Sequence, residues 1–157
     1  MRNGIIVVTS AGNKGPGSGT LFNESPWILT VGASSYDRKI IATIVLENGE
    51  SYEGQSLFQP KDFPPTIFPL DAGGVAMILL NPKDSGDTIF EIVHVLPATI
   101  VCSAVGEKIK GYVTSSSTAS AGIVFKGSKI GFKYAPFVAY FSSRGPNSRS
   151  PGILKPA

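Results

Sequence analysis

Asn13 is the residue whose type and setting best suit it to act on a reacting group. It lies in Ser10-Ala11-Gly12-Asn13-Lys14-Gly15-Pro16-Gly17, a turn of small residues after the apolar run Gly4-Ile5-Ile6-Val7-Val8-Thr9. A carboxamide donates hydrogen bonds without carrying charge, and small neighbours leave room for a substrate backbone. Strand ends that break into glycine-rich turns are where open α/β sheets bind ligands. A phosphate cradle does not fit: Gly17 is followed by Ser18 instead of Lys, and Thr20-Leu21-Phe22-Asn23-Glu24-Ser25-Pro26 does not open a helix with an apolar stripe behind it. The purely structural alternative is a left-handed turn at Asn13, with Ser10, Ala11 and Gly12 small because strands pack closely there.

Other reactive side chains are sparse. His94, the single histidine, precedes Leu96-Pro97-Ala98 and reads as a strand-edge or loop residue, not a base. Cys102 is the only cysteine, which excludes an internal disulfide and any cysteine-based zinc site. It reads as a small buried side chain at a strand end. No carboxylate cluster points to calcium, and neither a metal nor a cofactor is expected. Asn23-Glu24-Ser25 is a glycosylation sequon whose use is disfavoured by Pro26 beside it.

The elements that must position Asn13 are strands. A continuous β-branched run predicts a buried parallel strand leading into the turn, and Ser25–Ser34 predicts a second one. Lys39–Leu46 and Ser51–Gly54, joined by Glu47-Asn48-Gly49-Glu50, predict a β-hairpin. Pro60, Pro64, Pro65 and Pro69 make Gln59–Leu70 an extended linker and candidate domain boundary. Gly73–Pro82, His94–Val101, Ala121–Phe125 and Pro136–Phe141 predict further strands, and Lys83–Thr88 a surface loop. Ser103 is the expected cap of a helix carrying Val105, Ile109, Tyr112 and Val113 on one face.

Composition agrees with a globular, strand- and turn-rich chain. Of 157 residues, 42% are hydrophobic and only 16% charged, with 18 glycines and 12 prolines, and the mean hydropathy is +0.15. The net charge of +3 is scattered without aromatic interleaving, which argues against nucleic acid as a partner. No apolar run approaches the roughly 20 residues needed to span a bilayer. The first ten residues lack the cleavage site of a signal peptide, so none is expected on this chain.

Three motifs in order carry a family resemblance: Ser10-Ala11-Gly12-Asn13, then Ser25-Pro26-Trp27-Ile28-Leu29-Thr30-Val31-Gly32-Ala33, then Phe141-Ser142-Ser143-Arg144-Gly145-Pro146. Together they resemble the plant subtilisin-like serine proteases, or subtilases. Asp37-Arg38-Lys39, Gly49, Gly54-Gln55-Ser56-Leu57 and Ile153-Leu154-Lys155-Pro156 extend the likeness over nearly the whole chain. The resemblance implies an α/β fold in which a slice of the parallel-sheet catalytic domain is joined to a partial, β-rich protease-associated domain. Residues 1–58 would be catalytic-domain segment, 59–70 the linker, 71–132 the partial inserted domain, and 133–157 the return into the catalytic domain.

For Asn13 the resemblance implies donation to the oxyanion of a tetrahedral intermediate, with Ser10, Ala11 and Gly12 walling the primary specificity pocket. The implied partner is a peptide or protein substrate of an extracellular parent enzyme, and the inserted domain implies homodimer formation. The family's triad motifs are not among these residues, so the chain is expected to be inactive alone. In the family a longer stretch separates the Phe68-Pro69-Leu70 type sequence from Ala72-Gly73-Gly74, and its early strands are expected to be missing here, where Asp71 follows Leu70 directly. The alternatives are a non-catalytic interaction module or a truncated gene product.

Overall fold

A computed structural model describes residues 4–70, 74–85, 89 and 92–153. They form two compact units, Met1–Asp37 with Phe132–Ala157, and Arg38–Gly131. Among the described residues the regular structure is mostly sheet, with one α-helix.

In the first unit, β1 (Val7–Ser10) and β2 (Ile28–Val31) pair in parallel, with Val7 opposite Ile28 and Ser10 opposite Val31. The parallel direction agrees with the sequence, but the expected burial does not: Ile5 is 70% exposed and Val8 57%. Among the described residues these strands make a two-stranded sheet, and nothing supplies the covering layers that bury both faces of a parallel sheet. Pro136–Phe141 is likewise no strand. It contributes a single antiparallel bridge, Ser34 to Val138, and then turns as Ser142 N–H donates to Ala139 O at 3.0 Å.

In the second unit, β3 (Arg38–Leu46) and β4 (Ser51–Gln55) form the expected hairpin. Its turn closes through Gly49 at φ 87°, a conformation glycine adopts freely, while Asn48 Oδ1 accepts from Glu50 N–H at 3.0 Å. Within the expected linker, β5 (Phe68–Pro69) pairs with β8 (Ser120–Ile130), and β6 (Met77–Leu80) lies parallel to β7 (Ala98–Val101). The resulting sheet runs β5-β8-β3-β4-β7-β6. The hairpin thus shares one sheet with strands drawn from beyond residue 70.

Two strands are shorter than their apolar runs. Gly73–Pro82 yields only Met77–Leu80, its Gly73 lying outside the described residues, and His94–Val101 yields only Ala98–Val101, with Val95 97% exposed. Pro97 has no N–H to extend the latter strand's ladder. Of the expected loop Lys83–Thr88, Lys83–Ser85 forms a single 3-10 turn and the rest lies outside the described residues.

The core comprises Ile44, Leu46, Val101, Ile109 and Ala121, with Leu80, Val105 and Tyr112 packed against it. Helix α1 (Ser103–Ser115) turns Ile109 inward, but Val113 is exposed, so the predicted apolar face is only partly covered. Ser103 is not the cap. Cys102 takes that position, half-buried between β7 and α1, and its carbonyl accepts from Gly106 N–H at 2.9 Å without any side-chain cap.

Candidate functional site

The turn carrying Asn13 is built by backbone clamps from two directions. Ala11, buried, extends the β1–β2 ladder by donating its N–H to Val31 O at 2.8 Å. Phe22 N–H then donates to Ala11 O at 2.9 Å, and Asn23 Nδ2 to Ser10 O at 2.7 Å. The segment after β1 therefore folds back along the three small residues. Asn23 holds φ 61°, a left-handed conformation that asparagine tolerates better than most residues, and its carbonyl accepts from the hydroxyl of fully buried Thr30 at 2.7 Å. The nitrogen that a glycan would modify in the Asn23 sequon is thus the one bonded to Ser10.

The second clamp is Phe141-Ser142-Ser143-Arg144. Gly15 N–H donates to Phe141 O at 2.8 Å, and Ser143 N–H to Gly12 O at 2.9 Å. Ser143 Oγ accepts from Lys14 N–H at 3.1 Å, and Ser142 Oγ from Ala33 N–H at 3.0 Å. Arg144 and Thr20 bond reciprocally: Thr20 N–H donates to Arg144 O at 3.0 Å, and Arg144 N–H to Thr20 Oγ1 at 2.9 Å. Two turn glycines answer to this packing. A Cβ at Gly12, where φ is 102°, would stand 2.6 Å from the Phe22 ring and 2.8 Å from Ser143 Oγ. A Cβ at Gly15 would run into the carbonyl oxygens of Ser142 and Tyr140.

Asn13 stands out from this rigid base. It is exposed, and its carboxamide takes no hydrogen-bond partner among the described residues. Lys14 next to it places its ammonium 5.0 Å from the centre of the Phe22 ring, a cation–π contact. A neutral donor on an immobilised turn beside a fixed cation favours negative charge arriving from solvent. Of the three small residues before it, Ser10 is exposed, Gly12 half-buried and Ala11 buried.

The other reactive side chains, His94 and Cys102, fall in the second unit. There His94 Nε2 is buried without a hydrogen-bond partner among the described residues. No group of three His, Cys, Asp or Glu side chains among the described residues is arranged to hold a metal ion. Two contributors escape a reading of the sequence. Ser143 is a small polar residue at a strand-like end, with nothing local to link it to a turn 129 residues earlier, and Asn23 is disguised by its sequon.

No family model matches the chain. Individual relatives do: it is 36% identical over 203 residues to subtilisin-like protease SBT1.7 of Arabidopsis thaliana, covering 99% of this chain and 27% of that protein. It is 35% identical to SBT5.4 over 206 residues and 36% to SBT4.14 over 200, both from the same plant, with 99% of this chain and 26% of each relative covered. The chain thus spans about a quarter of the length of the curated relatives it matches. By these similarities it belongs to the plant subtilisin-like proteases.

Proposed function

We propose that this chain supplies the oxyanion donor and part of the substrate-pocket wall of a subtilisin-like serine endopeptidase. The observation that carries the reading is Asn13 itself: an exposed, unbonded carboxamide on a turn held by backbone hydrogen bonds on both sides. When a serine attacks a peptide carbonyl, its oxygen becomes negative. A donor already fixed toward that oxygen stabilises the charge without reorganising. Ser10, Ala11 and Gly12 would lie along the substrate side chain, with two of their carbonyls occupied by Phe22 and Asn23 and therefore unable to swing inward.

Peptide-bond cleavage also needs a nucleophilic serine, a histidine base and an aspartate to orient it. Those motifs are not among these 157 residues, so the chain alone is inactive and acts as part of an extracellular parent enzyme with peptide or protein substrates. A fluorophosphonate probe should leave it unlabelled, and specific labelling of one serine would contradict this. The finer architecture belongs to the same reading: a slice of the catalytic sheet with a partial protease-associated domain. It is supported by a match over 203 positions in SBT1.7 against only 157 residues here, in keeping with relatives that carry residues this chain lacks.

The oxyanion role is tested in a hybrid protease: SBT1.7 carrying residues 4–37 and 132–153 of this chain at the aligned positions, with its own triad and intervening domain. Asn13→Ala in the hybrid should lower kcat with KM little changed.

A second reading, an interaction module that self-associates through residues 71–132, draws on an apolar groove of about 700 Å³ lined by Met77, Leu80, Leu96, Ile109 and Val113. Sedimentation of the intact chain as a monomer at all concentrations would set it aside.

A further inference from the structure

The structure assigns Ser143 as the positioning residue of Asn13, an inference that rests on the oxyanion reading above. The Asn13 carboxamide takes no hydrogen bond among the described residues, so the direction of its Cα–Cβ bond is set by its backbone. Because peptide groups are planar, only two rotations separate the plane before an α-carbon from the plane after it. Fixing both planes fixes where the Cα–Cβ bond points. The plane before Asn13 contains Gly12 C=O, which accepts from Ser143 N–H at 2.9 Å. The plane after it contains Lys14 N–H, which donates to Ser143 Oγ at 3.1 Å. One residue, 1% exposed, therefore pins both planes flanking the proposed oxyanion donor.

The surroundings reinforce this arrangement. Before Ser143, fully buried Ser142 is anchored to Ala33 N–H through its own hydroxyl and Gly15 N–H reaches Phe141 O; after it, Arg144 N–H donates to Thr20 Oγ1, so the segment is held on both sides. Gly12 leaves no room for a side chain against Ser143 Oγ, which keeps the hydroxyl close to the turn. Losing that hydroxyl leaves the backbone bond to Gly12 intact and frees only the plane after Asn13. Asn13 would then rotate while the turn persisted.

The test uses the intact chain and nuclear magnetic resonance. In Ser143→Ala, exchange of the Lys14 amide proton should accelerate about tenfold or more, the order expected for losing one hydrogen bond. The Asn13 carboxamide signals, assigned through Asn13→Ala, should shift or broaden, and the Ser143 amide should stay protected. Ser143→Thr retains the oxygen and should restore both signatures. Ser56→Ala, which removes a buried hydroxyl from the second unit, should leave them unchanged. Wild-type Asn13 signals and Lys14 exchange in Ser143→Ala would overturn the assignment.

Kinetics in the hybrid protease supply the readout that a merely structural role would not move. Ser143→Ala should lower kcat about tenfold with KM unchanged, and should add nothing to Asn13→Ala, because it acts through that residue. Equal losses in both backgrounds would overturn the positioning role. A silent Asn13→Ala would instead overturn the oxyanion reading and leave the spectroscopic result standing.

Discussion

Asn23 Nδ2 lies 2.7 Å from Ser10 O, so the only left-handed non-glycine residue described in the chain is also the clasp on the end of β1. Conformation and hydrogen bond support each other: the positive φ turns the side chain back across the strand. Asn23→Ala removes the donor and leaves an alanine in an unfavourable backbone region. It should destabilise the first unit by about 1–3 kcal/mol. Asn23→Gly loses the bond but relieves the backbone and should be milder. Urea unfolding followed through Trp27, the single tryptophan, reads this unit, and an unchanged midpoint in Asn23→Ala would contradict the clasp.

Gly15 makes a sharper case, because its missing side chain faces two backbone carbonyls that have no rotamer to escape into. Gly15→Ala should cost about 1–3 kcal/mol through overpacking. It should also loosen the neighbouring bond from its own N–H to Phe141 O. Amide exchange should report faster opening of residues 12–15 while the β3–β4 hairpin keeps its protection. Uniform loss across both units would argue against a local clash.

Gly54 poses the same problem in the second unit, where the nearest obstacle to an added Cβ is a side chain and the carbonyl oxygens of Ile100 and Ala42 stand at 2.9 and 3.0 Å. A Cβ there strikes Thr99 Oγ1, which is itself donating to Ala42 O at 2.7 Å. Gly54→Ala should therefore destabilise the unit by about 1–3 kcal/mol. The double variant Gly54→Ala/Thr99→Ala should cost less than the two single changes summed, since removing the hydroxyl removes the nearest of the three contacts and leaves only the two carbonyls. Thermal melts of the four proteins measure the coupling, and strict additivity would show that the clash with Thr99 is not the cause.

Tyr52 gives a pH signature. Partial burial of the phenol and the hydrogen bond to Glu50 Oε2 at 3.0 Å, with that carboxylate's charge, push its pKa above the ordinary 10.0. The folded chain thus holds the proton more tightly than the unfolded one. The resulting stability is complete below pH 10.0 and is lost as pH rises through the higher folded value. In ultraviolet titration the transition that Tyr52→Phe removes should lie above pH 10.0, and Glu50→Gln should lower it. A Tyr52 transition unmoved by Glu50→Gln would contradict this.

Local chemistry made some of the fold legible in advance. The Asn48-Gly49 turn announced its hairpin, and the β-branched run before Ser10 announced a parallel strand. What the run could not announce was its exposure, since burial depends on covering layers that no residue within Val7–Ser10 encodes. Pro136–Phe141 shows the opposite failure: apolar and strand-like, it makes a single bridge, and its last carbonyl, that of Phe141, instead accepts from Gly15 N–H in the distant Asn13 turn. The exposure of Asn13 is in keeping with its small neighbours, whereas nothing local marks Ser143, because its two bonds, from its N–H to Gly12 O and from Lys14 N–H to its Oγ, join residues far apart in the sequence.

The most direct measurement of the central claim is steady-state peptide hydrolysis by the hybrid protease with and without Asn13→Ala. The account predicts a fall in kcat of about a hundred- to a thousandfold with KM nearly unchanged, a magnitude that is that of the subtilisin asparagine itself and not one calculated from this geometry. An Asn13→Ala hybrid that is correctly folded and turns over at the parental rate would contradict it.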